Sequence, residues 1–437
     1  MIRSASIKSL RKAGLAGLRS PTGRSIMLYA LAFVFAGLTP FVLLPVLTRQ
    51  LDPAEFGQAA SWIILSAMIA NVCGLTTHGL ISVRFFKLDR ERLRRLISTA
   101  LAVVMAVHAA LVLYMLIGPD LFSGFTHLPA RYSIGAAAVA MVISLNLAGL
   151  ALMQVSNRPG LYLSLRMLQS AVEIGGCLLL LRLLAATPDV RIISYGAAAG
   201  ASAFCAIAFI AAQGFLGRSP DRSSVGDVLR FGVPMVPHVL AGQLLSNLDR
   251  LMVSYLLGVK ELGIFMVASQ LGMALSLVIE PLNRALAPWL FERLAAPGEG
   301  DRDKIVRWTY GIFAGLFMIA LLSAGAFILV FDYAFTRDYS AAKLLVLPVA
   351  IGMTFQGMYY GVVNYIFYAE ATARLSLVSS ATVSLGVLSS YFLVSHFGLA
   401  GASLSFMLTN AALFFAVWHL SRKVVDMPWF CPGGANK

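Results

Sequence analysis

Apolar residues fall in twelve long blocks, at 26–48, 57–83, 96–117, 132–153, 162–185, 192–216, 231–258, 263–287, 308–331, 344–367, 375–395 and 398–420. Each block holds about 20 or more mostly apolar residues, enough to cross about 30 Å of hydrocarbon as a helix. The polar stretches between them are short, the longest running from Pro288 to Arg307, so no soluble domain is inserted. The pattern predicts an all-α polytopic membrane protein with twelve transmembrane helices.

Composition agrees. Of 437 residues, 59% are apolar and 12% charged, against about a quarter charged in soluble chains. Disorder, a disulfide scaffold and a cytosolic enzyme are excluded. Cys73, Cys177 and Cys205 lie in apolar blocks and Cys431 near the end, without metal-ligand spacing, so neither metal nor cofactor is expected. The net charge of +14 bears on topology rather than on nucleic acid. Alternate polar stretches hold 25 and 7 basic residues, with Arg250 and Arg284 inside blocks. The richer set includes both ends of the chain, which places both termini in the cytoplasm. Residues 1–25, with Arg3, Lys8, Arg11, Lys12, Arg19 and Arg24, read as a basic cytoplasmic or interfacial segment, a helix on the inner leaflet or a retention tail.

The junction Leu51-Asp-Pro-Ala-Glu55-Phe56-Gly57 recurs as Leu257-Gly-Val-Lys-Glu261-Leu262-Gly263, an offset of 206. Two prolines precede each, Pro40 and Pro45 in the first copy and Pro234 and Pro237 in the second. This repeat predicts two six-helix lobes, 26–216 and 231–420, with a turn-rich cytoplasmic linker at 217–230 and a cytoplasmic tail at 421–437. Pro234 also suits the first turn of a helix starting near 231; Pro40 and Pro45 lie deeper, as candidate hinges. Transporters built from repeats place substrate between the halves and rock one against the other.

The run Leu229-Arg-Phe-Gly-Val-Pro234-Met-Val-Pro237, with Asn247-Leu-Asp249-Arg250 and Leu257 through Phe265, resembles the seventh and eighth helices of Wzx-type polysaccharide flippases. Leu44-Pro45 through Gly57, and Arg84, fit the same pattern. These proteins belong to the multidrug/oligosaccharidyl-lipid/polysaccharide (MOP) exporter superfamily. The resemblance implies a MATE-like, V-shaped, two-lobe exporter. It further implies export of undecaprenyl-diphosphate-linked oligosaccharide, from the inner to the outer leaflet, for O-antigen or exopolysaccharide synthesis. A coupling ion, H+ or Na+, and a polysaccharide polymerase complex are the partners such a role brings.

An ionisable group inside the bilayer costs about 2.5–3.5 kcal/mol on insertion scales, so each needs a reason. Glu280 and Arg284 are four apart, a self-neutralising pair or a restrained cation that meets diphosphate. Asp249 and Arg250 point about 100° apart, the first a gate or interfacial anchor, the second a cavity cation. Glu173, beside Gly175 and Gly176, is a buried hydrogen bond or a proton-coupling carboxylate. Gln243 and Asn247, like Asn71, Gln270 and Asn283, suit sugar hydroxyls or helix packing equally. His78 and His238 read as packing residues. Arg84, Lys87, Arg90, Arg92, Arg94 and Arg95 set topology and attract anionic lipid heads; Arg84, nearest the helix, belongs at a cavity mouth.

No GxxxxGK[ST] motif is present, so an enzyme is not expected. The alternatives are a cation-coupled multidrug extruder, with Glu173 or Asp249 as its carboxylate, and a lipid II flippase. A non-transporting scaffold of a polysaccharide assembly complex is the rival from another class.

Overall fold

The computed structural model describes residues 21–118, 128–217, 221–295 and 300–429. The basic residues of the first 20 positions and Cys431 lie outside this range. Thirteen helices follow one another among the described residues. They are α1 (Pro21–Gln50), α2 (Pro53–Cys73), α3 (Thr77–Arg84), α4 (Arg90–Ile117), α5 (Ala130–Val155), α6 (Pro159–Leu183) and α7 (Pro188–Ala212). After these come α8 (Arg222–Leu256), α9 (Val259–Met273), α10 (Ser276–Ala295), α11 (Asp301–Ala334), α12 (Ala342–Tyr368) and α13 (Thr372–Val424).

Nine of these are long and apolar enough to span a membrane, and two further spans are bent pairs. The last helix folds back at Gly398, whose φ of 56° and ψ of −134° interrupt it. It therefore accounts for both of the final two blocks, and the described residues hold twelve spans when each bent pair is one span. Gly401 lies so close to the Leu393 carbonyl that a Cβ there would clash, which is why the fold-back needs glycine on both sides.

Contacts sort the chain into two compact units: residues up to Leu43 with Ser61–Leu244, and Leu44–Ala60 with the chain from Leu245 onward. These boundaries differ from the expected lobes. Residues 44–60 join the second unit, where the end of α1 is hydrogen-bonded through the Arg49 side chain and through backbone carbonyls. Arg49 donates to the Tyr333 carbonyl at 2.6 Å and to that of Ala334 at 3.3 Å. Thr336 donates to the Thr48 carbonyl and buried Tyr339 to that of Leu51. Residues 231–244 join the first unit, where Gly232 sits against Leu75 at a distance a Cβ would reduce to 2.7 Å.

The linker is shorter than expected. Arg222–Arg230 is helical, so α8 starts about nine residues before its apolar block. Asp221 organises that start: its carboxylate accepts from the Ser223 amide and from the Ser223 and Ser224 hydroxyls. Its own amide donates to Thr99. The Ser and Asp residues that resemble a linker in composition are cap residues. Pro234 is consequently well inside α8, not in its first turn. Pro40 and Pro45 both lie within continuous α1, on either side of the Leu43–Leu44 boundary.

The two copies of the repeat junction meet within the second unit. A Cβ built on Gly57 would fall 1.8 Å from the Val259 carbonyl oxygen, and one on Gly263 would fall 1.9 Å from that of Pro53. Each contact is the other shifted by 206, so α2 and α9 cross about a local two-fold axis. Small residues let helix backbones approach this closely. The caps differ: Asp52 and Glu55 accept each other's backbone N–H before α2, a reciprocal box, whereas Gly258 takes φ 100° before α9.

Among the described residues three spans are interrupted, α8 among them, bent between Leu244 and Ser246. Between α2 and α3, Leu75 and Thr76 are both left-handed, with φ of 49° and 50°, a conformation that costs non-glycine residues about 1–2 kcal/mol each. Ser144 of α5 donates to the Ala70 carbonyl at 2.9 Å just before this break. The pair α9 and α10 is bent by 42°. Broken helices persist in a bilayer only where protein or a wet cavity covers the freed backbone groups.

Candidate functional site

In the first unit, Glu173 of α6 and Arg191 of α7 form a buried ion pair at 2.6 Å, each 7% exposed. The guanidinium also lies 5.8 Å above the Tyr195 ring, and Tyr195 packs edge-on against Trp62. Sequence alone counts Arg191 among the loop cations. That placement is corrected because Pro188 begins α7, putting Arg191 one turn inside the helix. Charge compensation on a neighbouring helix is thus the environment of Glu173.

The basic cluster of the same unit is mostly paired. Arg92 meets Asp89, while Arg94 and Arg95 share Glu91. The Arg92 backbone N–H, with the Arg92 charge adding to it, holds the Asp89 carboxyl below its usual range. Arg90 donates to the Gln213 carbonyl and covers the Phe215 ring. Arg84, half-buried at the end of α3, has no ion pair among the described residues. It remains a cation able to take an outside partner.

In the second unit, α8 presents Gln243 from the other side of the boundary and then Asn247, Asp249 and Arg250. Asp249 and Arg250 have different partners. The Ser390 hydroxyl of α13 donates to Asp249 at 3.4 Å. Arg250 donates to the Asn247 side chain at 3.1 Å and contacts the Met273 sulfur. Its Nε atom is buried without a hydrogen-bond partner among the described residues, as is Gln270 Oε1.

Glu280 and Arg284 lie in α10, which Pro281 and Pro288 interrupt. Each proline removes a rung of the hydrogen-bond ladder. The pair is 3.8 Å apart, with the Arg284 side chain 68% exposed and that of Glu280 31%. Tyr360 of α12 donates to the other Glu280 oxygen at 3.2 Å. Asn364, one turn on, donates to Asn283 at 3.0 Å. A guanidinium this open cannot face acyl chains cheaply, so it faces water or headgroups.

Tyr360, Asn364, Ser390 and Arg191 escape sequence reasoning. Tyr360 and Asn364 carried a signal, being polar positions one helical turn apart in an apolar block. Ser390 had no signal beyond a Ser-Ser pair. Of the site residues, Arg84, Glu173, Pro40 and Gln243 belong to the first unit, and Pro45, Asn247, Asp249, Arg250, Glu280 and Arg284 to the second.

A family model described as polysaccharide biosynthesis protein matches residues 22–293. The chain is 22% identical over 369 residues to Lsg locus protein 1 of Haemophilus influenzae, covering 81% of this chain and 86% of that one. Among solved structures it is similar to the lipid II flippase MurJ, with TM-score 0.69, 12% identity and coverage of 92% and 86%. It is also similar to an inward-facing MATE family transporter of the MOP superfamily, with TM-score 0.62, 17% identity and coverage of 90% and 93%. Those two likenesses show a shared fold.

Proposed function

The chain belongs to the polysaccharide biosynthesis protein family, and from that premise we propose that it flips undecaprenyl-diphosphate-linked oligosaccharide. Transport runs from the inner to the outer leaflet of a bacterial inner membrane, by alternating access, with both termini cytoplasmic. The observation that carries this reading is Arg284, a 68% exposed guanidinium on a proline-interrupted helix. Such a group suits the diphosphate, which it can meet with two parallel N–H donors. Glu280 restrains it, and Arg84 in the first unit supplies a second cation. Gln243, Asn247 and Arg250 contribute further polar contacts to the substrate.

A cation-coupled multidrug extruder is less favoured by the carboxylates. Glu173 is neutralised by Arg191, Glu280 is bonded by Tyr360 and Arg284, and Asp249 lies against Ser390. A pocket for cationic drugs needs acid facing its ligand, and these acids are already engaged. We assign any coupling ion, H+ or Na+, to Asp249, the carboxylate of the three that forms no ion pair among the described residues. Chemistry on the substrate is not part of the role.

The test is export of lipid-linked oligosaccharide in cells lacking the native copy. An Arg84→Ala, Arg284→Ala double variant, inserted at wild-type level, is expected to lose export. Arg284→Lys is expected to recover part of it, because lysine keeps the charge and loses the fork. Full export by the double variant overturns the assignment.

A further inference from the structure

Arg284, Glu280, Tyr360, Asn364 and Asn283 form one strip within the second unit, joined by hydrogen bonds and by the Arg284–Glu280 ion pair. Positions 283 and 284 each neighbour 280 along α10, about 100° apart from one another, and 360 and 364 share a face of α12. Glu280 joins Arg284 to the Tyr360 hydroxyl. Asn364 Nδ2 donates to the Tyr360 backbone carbonyl at 3.0 Å and to Asn283 Oδ1 at 3.0 Å.

This last pattern fixes both side-chain amides. A backbone carbonyl only accepts, so Asn364 must turn its NH2 towards Tyr360, and both of that group's protons are then used. Asn283 accepts one of them and must therefore present its oxygen to Asn364. Asn364 Oδ1 and Asn283 Nδ2 remain, an acceptor and a two-proton donor on adjoining amides, with no hydrogen bond to another described residue. Neither group carries charge.

We propose that Asn283 and Asn364 form the subsite for the first sugar of the lipid-linked glycan, a neutral hexose or N-acetylhexosamine ring attached to the diphosphate. This rests on the placement of the diphosphate at Arg284. Vicinal ring hydroxyls each donate and accept, so they complement one free acceptor beside one free donor. Asn283 precedes Arg284, so their side chains leave neighbouring backbone positions about 100° apart, an offset that suits a ring lying beside the phosphate that Arg284 holds. The subsite gives the protein a means of distinguishing loaded carrier lipid from the bare carrier, which shares the diphosphate and lacks the ring.

The experiment measures dissociation constants for the purified full chain in nanodiscs by native mass spectrometry. The probes are undecaprenyl diphosphate, and the same lipid bearing one glucose or one N-acetylglucosamine. The wild type is expected to prefer a sugar-bearing probe. Asn283→Ala is expected to weaken that probe about three- to tenfold, the cost of one or two neutral hydrogen bonds, and to leave the bare lipid unchanged. Asn283→Leu, close in size, repeats the measurement if the smaller residue unfolds the protein. Arg284→Ala is expected to weaken all three probes. Equal wild-type affinity for the three, or unchanged sugar preference in a folded Asn283 variant, overturns the subsite alone. Binding of none of the probes by the wild type overturns the transport reading beneath it.

Discussion

Replacing Gly57 with alanine puts a methyl group where no space exists. Its carbon would fall 1.8 Å from the Val259 carbonyl oxygen and 2.8 Å from the Gly263 nitrogen. Ordinary carbon–oxygen contact needs about 3.3–3.6 Å, so α2 and α9 must separate by roughly 1.5 Å. Neither obstructing atom belongs to a side chain that can swing away. The expected cost is that of overpacking, about 1–3 kcal/mol. For a cooperative unit of about 200 residues, 2 kcal/mol corresponds to a melting temperature lower by about 4–8 °C. Gly263→Ala meets the Pro53 carbonyl oxygen at 1.9 Å and should cost the same. The pair should not add: once one methyl has parted the helices, the second enters a gap already made. A cycle of both single variants and the double, melted in detergent, should show a coupling of about 1–3 kcal/mol opposing the sum. Wild-type melting of either single variant, or simple addition in the double, would refute the two-fold crossing as the constraint.

Two further outcomes follow from charged groups. Arg191→Met leaves Glu173 buried without its partner and should destabilise the first unit by about 3–5 kcal/mol; a Glu173→Leu, Arg191→Met double variant should recover most of that, read as melting temperature and folded yield. Retained loss in the double would show that packing rather than charge is lost. At the start of α8, hydrogen bonds from Ser223 and Ser224 hold the Asp221 carboxyl below its usual range. Stability from a depressed carboxylate is present above its unfolded value and lost as pH falls through the folded one. Asp221→Ala should therefore melt below wild type at neutral pH, with the gap closing as the pH falls below about 4; a gap independent of pH would refute the cap.

What sequence discloses here follows the range of the physics involved. Span number is written in the solvent preference of each block, so all twelve spans are legible, including the final two that share α13. The repeat is legible because a two-fold crossing demands glycine at the same place in both copies, and Gly57 and Gly263 are that demand. Partner choice is not legible, since it is set by helices far apart in the chain. Arg191 reads as a loop cation until α7 is seen to begin at Pro188, beside Glu173. The break at Leu75 and Thr76 is hidden for the same reason: it lies where Gly232, lacking a Cβ, leaves room for Leu75 and where Ser144 bonds to the Ala70 carbonyl. Local residue preference argues against it, and tertiary contact prevails. The strip at Arg284 lies between these cases. Its charges stand out against the apolar background of α10, whereas Asn364 acquires meaning only when α12 brings it to Asn283. A reading confined to charge therefore locates where a diphosphate would bind and overlooks the uncharged groups that would recognise the sugar attached to it.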